Sequence, residues 1–99
     1  MADEVYQNNV YKKSERPFHS FKKVMRSLGP EEQLELFSFH SVSKGMIGEC
    51  GRRGGYVECA NIDEAVIEQL YKLGSISLCP TVQGQMTVRS SFTATWHAY

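Results

Sequence analysis

The loop between residues 41 and 55 holds the side chains best suited to chemistry. It combines a lysine, two serines, two arginines and five glycines. These are Ser41, Ser43, Lys44, Arg52, Arg53 and the glycines at positions 45, 48, 51, 54 and 55. Cationic side chains, hydroxyls and accessible backbone N–H groups at the end of a strand are the groups that bind an anion, most often a phosphate. The pattern therefore predicts an anion-binding loop.

Lys44 admits three interpretations from its position alone. It could contact a phosphate, it could be a nucleophile that forms a Schiff base with a carbonyl compound, or it could be an ordinary surface lysine. The nucleophilic role requires an amine that is uncharged part of the time. The P-loop pattern is excluded, because no Gly-Lys-Ser/Thr sequence follows a four-residue gap here. All three interpretations stay open on spacing alone.

The segments before this loop predict a strand end and a helix. Residues 1–6 resemble the last residues of a strand, and residues 7–17 are polar and basic, as in a loop. Ser20 is a candidate N-cap for a helix, because apolar residues recur at i, i+3, i+4 and i+7 over residues 21–28. Gly29-Pro30 is a typical helix stop.

Two strands are expected on either side of the loop, and a second helix follows them. Residues 34–39 predict a buried strand, and residues 56–59 predict a short second strand. Asn61 is the expected N-cap of a helix with one apolar face, and Gly74 is its expected end. This order of strands and helices indicates an α/β fold. After Gln85 the chain is rich in Ser and Thr and has no helical stripe, so a short exposed strand or disorder is expected there.

Composition limits the classes of protein that fit. At 99 residues with zero net charge, the chain is one small domain at most, and its charge favours no class of partner. Its three cysteines, Cys50, Cys59 and Cys79, form no CxxC pair, which argues against a disulfide framework or a zinc site and favours reduced thiols inside the cell. Cys50 is expected to be a small buried residue. No apolar run approaches the roughly 18–20 residues of a membrane span, so a soluble protein is expected.

Four ordered stretches resemble the alanine aminotransferases, which are pyridoxal-phosphate enzymes of fold type I. The longest is S-F-H-S-V-S-K-G-M-I-G-E-C-G-R-R-G-G-Y at residues 38–56. The others are A-D-E-V-Y-Q at residues 2–7, F-H-S-F-K-K-V at 18–24 and L-C-P-T-V-Q-G-Q at 78–85. The resemblance covers roughly residues 1–85 and implies a segment of the large, cofactor-binding domain. Residues 86–99 form a divergent tail with no domain assigned.

The resemblance implies a role for six residues. Lys44 resembles the lysine that forms a Schiff base with pyridoxal 5'-phosphate. Asp3 resembles the carboxylate that pairs with the protonated pyridine nitrogen, and Tyr6 the tyrosine that bonds the phenolic oxygen. Ser41 resembles a phosphate-binding serine, and Ser43 is a weaker second candidate. Arg53 resembles the arginine that holds the phosphate, since a planar guanidinium suits a bidentate contact.

The neighbours of these residues have plainer interpretations. Arg52 could exchange roles with Arg53 but is expected to be solvated. His40 invites an acid/base role, although a histidine beside an apolar strand is expected to be a hydrogen-bonded structural residue. Asp3 and Tyr6 are three residues apart, which would place them on opposite faces of a regular strand. We therefore expect Tyr6 to lie beyond the end of the strand.

The resemblance also implies the reaction and its setting. Alanine and 2-oxoglutarate would give pyruvate and glutamate, although glyoxylate-using relatives share the signature. Full-length members of the family are homodimeric, and a cytoplasmic or mitochondrial location follows, with no nucleic acid or membrane as partner. Several elements of a family active site are missing, including the arginine for the substrate carboxylate. We therefore expect an incomplete chain with negligible activity alone.

Two interpretations from other classes remain. A nucleic-acid-binding module would use Arg52, Arg53 and the adjacent glycines, together with the basic segment 12–26, although one Arg-Gly-Gly without repeats and zero net charge weigh against it. A non-catalytic chain that pairs with a full-length relative is the other. Salt-dependent RNA binding would favour the first, and co-purification with such a relative would favour the second.

Overall fold

The computed structural model describes residues 1–29 and 33–96. Within these ranges the chain forms a three-stranded sheet and three α-helices. The strands are β1 (Ala2–Asp3), β2 (Leu36–Ser41) and β3 (Gly55–Ala60), and the helices are α1 (Phe21–Ser27), α2 (Glu64–Ser75) and α3 (Val82–Trp96). A 3-10 turn, Cys50–Arg52, lies in the loop between β2 and β3. The α/β architecture expected from the sequence is confirmed.

β2 is the central strand of a mixed sheet. β1 runs parallel to it, with Asp3 opposite Phe39, and β3 runs antiparallel to it, with Ser41 opposite Gly55. A parallel pair needs a long crossover connection, and the segment that contains α1 supplies it. Both β1 and β2 therefore end at the same edge of the sheet.

The central strand lies two residues later than the sequence indicates. It spans Leu36–Ser41 where residues 34–39 were expected, and its partner β3 is one residue longer at each end than expected. The carbonyl of Leu34 accepts a hydrogen bond from the Asn61 side-chain amide at 3.2 Å. That carbonyl is engaged by a side chain, so the ladder begins only at Leu36.

Two helices contact one face of the sheet. Tyr56 and Glu58 are two positions apart on β3 and therefore share this face. Lys22 of α1 forms an ion pair with Glu58, and Phe92 of α3 lies with its ring centroid 4.8 Å from that of Tyr56.

The opposite face of the sheet is open. Phe39 and Val57, which are paired on β2 and β3, are 40% and 45% exposed. Among the described residues, three apolar residues are buried: Ala2, Leu36 and Val42. The core therefore lies on the helix-covered side and around the end of β2.

α1 begins and ends where the sequence predicts. The Ser20 hydroxyl accepts a hydrogen bond from the Lys23 N–H at 3.1 Å, which is the expected N-cap. The Glu4 carboxylate accepts a second hydrogen bond from the Phe21 N–H at 2.7 Å. Gly29 takes a positive φ of 113° just after the helix; Pro30 lies outside the described residues. Glu4 thereby joins the start of α1 to the end of β1.

α2 has a different cap from the expected one. Asp63, not Asn61, is the N-cap, and its carboxylate accepts from the Ala65 N–H at 2.8 Å. Asn61 adopts a left-handed φ of 54° and donates its side-chain amide to Leu34. The helix continues through Gly74 and ends at Ser75. The prediction of Asn61 as the cap was wrong because a contact distant in sequence engages its side chain.

The tail after Gln85 is helical, which contradicts the expected strand or disorder. α3 runs continuously to Trp96. Its hydroxyls donate back to carbonyls of the same helix, as from Thr87 to Gln83 at 2.8 Å and from Ser90 to Met86 at 2.9 Å. Ser and Thr favour breaks when their hydroxyls compete with the backbone, but here these bonds stay within the helix. The contact with β3 then fixes the helix in place.

Candidate functional site

The predicted site residues gather at one end of the sheet. Asp3 is the last residue of β1 and Ser41 the last of β2, and the two strands are parallel. Lys44 follows β2 closely, and Arg53 lies just before the start of β3, which is antiparallel. The carboxyl ends of parallel strands are where open α/β sheets bind ligands.

Tyr6 lies beyond the end of β1, as the sequence predicts. Residues 5–8 form a turn, in which the Gln7 N–H donates to the Glu4 carbonyl at 3.2 Å and the Asn9 N–H donates to the Tyr6 carbonyl at 2.9 Å. The Tyr6 side chain is 61% exposed, and Asp3 is also exposed. The chain therefore leaves extended geometry between these two residues.

Gly45 joins the lysine loop to this turn. It takes a left-handed φ of 64°, and a Cβ built on it would lie only 2.8 Å from the Val5 carbonyl oxygen. A side chain is disfavoured there by both its own backbone conformation and the neighbouring backbone. Lys44 is thus held beside the segment that carries Asp3 and Tyr6.

Backbone hydrogen bonds hold both ends of the lysine loop. The buried residue Val42 donates its N–H to the Gly54 carbonyl at 3.1 Å and accepts at its own carbonyl from the Glu49 N–H at 2.9 Å. The Ser41 hydroxyl oxygen accepts from the Ser43 N–H at 3.1 Å, and both serines are half-buried. The hydroxyl of Ser41 is therefore fixed by a hydrogen bond within the lysine loop, from the backbone N–H of Ser43, the residue before Lys44.

Arg53 occupies the other side of the loop in a left-handed conformation, with φ of 53°. Its guanidinium donates to the Cys50 carbonyl at 3.0 Å. Arg53 and Arg52 are both exposed. Cys50 is exposed as well, so the expectation of a buried cysteine was wrong. The structure brings the backbone of Arg53 to the site, while its side chain bonds within its own turn.

His40 has a structural hydrogen bond. Its Nδ1 accepts from the Ser41 N–H at 2.8 Å, so the neutral ring carries its proton on Nε2. The ring lies 5.4 Å from that of Tyr56. Burial first, and then the carboxylates of Glu58 and Glu4, raise the pKa of Tyr56 above its ordinary value. Tyr56 is therefore un-ionised at neutral pH.

A cleft of about 180 Å³ lies beside Lys44. The turn after β1 and the lysine loop form part of its wall, and the rings of His40 and Tyr56 form another part. The last part of the wall comes from Ser91 and Phe92 of α3. Sequence reasoning missed Tyr56, Ser91 and Phe92, because nothing local in the sequence connects them to Lys44.

Two glycines allow α3 to dock on the loop. A Cβ on Gly84 would lie 2.7 Å from the Arg53 carbonyl oxygen, and one on Gly54 would lie 2.8 Å from the Gly84 carbonyl oxygen. The Thr81 hydroxyl also donates to the Arg52 carbonyl at 2.8 Å. Gly84 belongs to the stretch L-C-P-T-V-Q-G-Q. Its backbone approaches the Arg53 carbonyl so closely that a side chain would not fit, which explains why this position is a glycine.

Among residues 1–29 and 33–96, no group of three or more His, Cys, Asp or Glu side chains is placed to hold a metal ion. In the same ranges, no helix is long and apolar enough to cross a membrane.

The chain is similar to alanine aminotransferases over most of its own length. It is 62% identical to alanine aminotransferase 2 of Xenopus laevis over 88 residues, which is 87% of this chain and 16% of that protein. It is 60% identical to alanine aminotransferase 1 of Homo sapiens over 87 residues, 86% of this chain and 17% of that protein. A probable mitochondrial alanine aminotransferase of Dictyostelium discoideum is 56% identical over 89 residues, 89% of this chain and 17% of that protein.

The chain therefore spans about one sixth of the length of these curated relatives. No protein-family model matches it.

Proposed function

We propose, on the premise that this chain is homologous to one segment of the alanine aminotransferases, that residues 1–85 carry the lysine-bearing part of a fold type I domain that binds pyridoxal 5'-phosphate. The observation that supports this most is the shared sheet edge. The parallel pairing of β1 and β2 and the contact of Gly45 with Val5 bring the segments of Asp3, Tyr6 and Lys44 together.

The groups at this edge fit the cofactor by their chemistry. A ring with a cationic nitrogen needs a carboxylate, which Asp3 offers, and a phenolic oxygen needs a donor, which the exposed Tyr6 hydroxyl offers. A phosphate needs hydroxyl and guanidinium donors, which Ser41, Ser43 and Arg53 offer. An aldehyde needs a primary amine, and Lys44 is exposed beside the cleft.

Each residue then has a defined task. Asp3 keeps a proton on the ring nitrogen by ion pairing, and Tyr6 orients the ring through its phenolic oxygen. Arg53 leaves its bond to the Cys50 carbonyl and contacts the phosphate together with the serines. When bound, pyridoxal phosphate supplies an acceptor for the electrons released as the substrate Cα loses its proton. Lys44 would accept that proton on its ε-amine.

For the whole protein we infer transfer of an amino group between alanine and 2-oxoglutarate, in either the cytoplasm or mitochondria. The candidate residues here hold the cofactor, and none of them is assigned to the substrate carboxylate. Catalysis depends on orientation, and a misplacement of about 1 Å can cost about 100-fold in rate. We therefore expect this chain by itself to bind pyridoxal phosphate but to transaminate negligibly.

Lysine labelling tests this proposal. The chain is incubated with pyridoxal phosphate, reduced with borohydride, digested and mapped by mass spectrometry. We expect the adduct at Lys44 to form faster than at Lys72, which is also exposed but lies on α2. Arg53→Ala is expected to reduce labelling of Lys44 and to leave Lys72 unchanged, whereas Arg52→Ala, the matched control, is expected to change neither. Equal labelling of Lys44 and Lys72 in the unmodified chain would contradict the proposal.

A further inference from the structure

Phe92 lies where α3 meets the Lys44 cleft. Val88, Ser91 and Phe92 are spaced i, i+3 and i+4 on α3, so they share one face of the helix. Ser91 and Val88 line a small gap against His40, Ser41 and Val42 at the end of β2. Phe92 completes this contact through Tyr56, with ring centroids 4.8 Å apart and planes at 42°.

The cleft beside Lys44 is small while Phe92 holds this position. Its volume is about 180 Å³, whereas clefts that enclose small organic ligands usually measure about 300–1,000 Å³. Lys44 is exposed as a residue, so a very small aldehyde can reach its side chain. A ring-sized aldehyde that must also settle into the cleft meets the Phe92 side chain.

A second cleft lies on the other side of the Phe92 ring. Phe92 lines this cleft, of about 510 Å³, together with Pro80, Gly84 and Val88. The ring therefore separates a narrow space next to Lys44 from a wider, mainly apolar space on its other side. Phe92 is 42% exposed, so its seat on Tyr56 buries only part of the ring. A shift of the ring toward the wider cleft would enlarge the space beside Lys44.

We propose that Phe92 is an access-determining residue: seated on Tyr56, it slows the entry of ring-sized carbonyl compounds into the Lys44 cleft, and its displacement speeds their entry. This inference rests on the proposed function in one respect, since pyridoxal phosphate is the carbonyl compound of interest. The slower entry itself depends on the size of the aldehyde and applies equally to aldehydes without a phosphate.

The test compares three aldehydes on the full chain and on Phe92→Ala, each trapped by borohydride and followed at Lys44 by peptide mass mapping over time. Pyridoxal phosphate and pyridoxal are ring-sized, and formaldehyde is small. We expect Phe92→Ala to increase the initial rate at Lys44 for both ring-sized aldehydes by roughly two- to tenfold, the range that corresponds to loss of one aromatic pair. The formaldehyde rate at Lys44 and all rates at Lys72 should stay unchanged.

Matched variants separate access from general loosening. Phe18→Ala removes a ring of similar exposure, 40%, outside the lining of the cleft, and should behave as the unmodified chain. Phe92→Tyr keeps the ring and should do so too. If Phe92→Ala does not fold, Phe92→Leu keeps an apolar contact and should show a smaller rise in the same direction.

Two results would overturn the inference: ring-sized aldehydes that react with Lys44 at the same rate in both chains, or a formaldehyde rate that rises by the same factor. Failure of the proposed function has a different signature. In that case pyridoxal phosphate shows no advantage over pyridoxal at Lys44 in any variant, while the effect of Phe92→Ala on both is still measured.

Discussion

At the residue scale, the lysine loop contains two glycines at positions where a side chain is disfavoured. Gly45 and Gly48 both have left-handed backbones, with φ of 64° and 65°. Their surroundings differ, because a Cβ on Gly45 meets the Val5 carbonyl at 2.8 Å and a Cβ on Gly48 meets nothing within 4 Å. Substitutions at the two glycines therefore distinguish the free-energy cost of a left-handed backbone from that of a clash with the Val5 carbonyl.

We expect Gly45→Ala to destabilise the chain more than Gly48→Ala. Both substitutions incur the left-handed cost of about 1–2 kcal/mol, but only the first also pushes the lysine loop away from Val5. The free energies of unfolding from urea titrations measure the difference. Gly45→Ala should also lower the rate of pyridoxal phosphate labelling at Lys44, and Gly48→Ala should not. Equal losses of stability would mean that the Val5 contact contributes nothing.

At the element scale, the helix ends show which interactions hold each element. α1 is capped by Ser20, and its Phe21 N–H donates a further hydrogen bond to the Glu4 carboxylate. α2 has Asp63 as its N-cap, and its Val66 and Leu73 are exposed. Because packing contributes little to α2, its stability rests largely on its cap and its own helical bonds.

Asp63→Ala should therefore loosen α2 locally. We expect a loss of about 0.5–2 kcal/mol in the protection of its amides, measured by hydrogen exchange, with β2 and β3 unaffected. Asp63→Asn keeps an N-cap oxygen and is expected to retain most of the protection. A loss spread equally over the sheet would show that the cap does not act locally.

Local patterns predicted both ends of α1 but not the N-cap of α2 or the helix α3. The Ser20 cap and the Gly29 stop are encoded within a few residues, and both were predicted correctly. Asn61 and Asp63 are both good caps, and a carbonyl 27 residues away engages Asn61. α3 lacks an apolar stripe, so its helix could not be read from periodicity.

The candidate site shows the same division. The strand ends and the family resemblance predicted Asp3, Tyr6 and Lys44 as site residues, and the structure places their segments together. Their roles stay predictions. The approach of Gly84 to Arg53 and the seat of Phe92 on Tyr56 involve partners distant in sequence, and no local signal encodes them.

At the scale of the whole molecule, the open face of the sheet is the main feature. Phe39 and Val57 are paired across β2 and β3 and remain substantially exposed, while the buried apolar residues are few. Contiguous exposed apolar surface favours association and binding of apolar molecules. The isolated chain should therefore bind a hydrophobic dye in its folded state.

We expect the double substitution Phe39→Ser and Val57→Thr to lower the fluorescence of the bound dye. The free energy of unfolding should change by no more than about 1 kcal/mol, which is twice the usual range for one surface position. Phe18→Ser, at an exposed position outside the strands, serves as the control and should leave the fluorescence nearly unchanged. A dye signal that persists in the double variant would place the apolar surface elsewhere.

The backbone contact between Gly54 and Gly84 also affects how α3 can move. It holds the first turn of α3 against the loop, and the contact of Phe92 with Tyr56 holds the helix farther along. Phe92 lies about 12 Å farther along, at 1.5 Å of rise per residue. A tilt of about 10° at the glycine contact would therefore carry the aromatic ring by about 2 Å, because the helix between them is rigid. A small rotation of α3 about the Gly54–Gly84 contact is therefore enough to move Phe92 away from Tyr56.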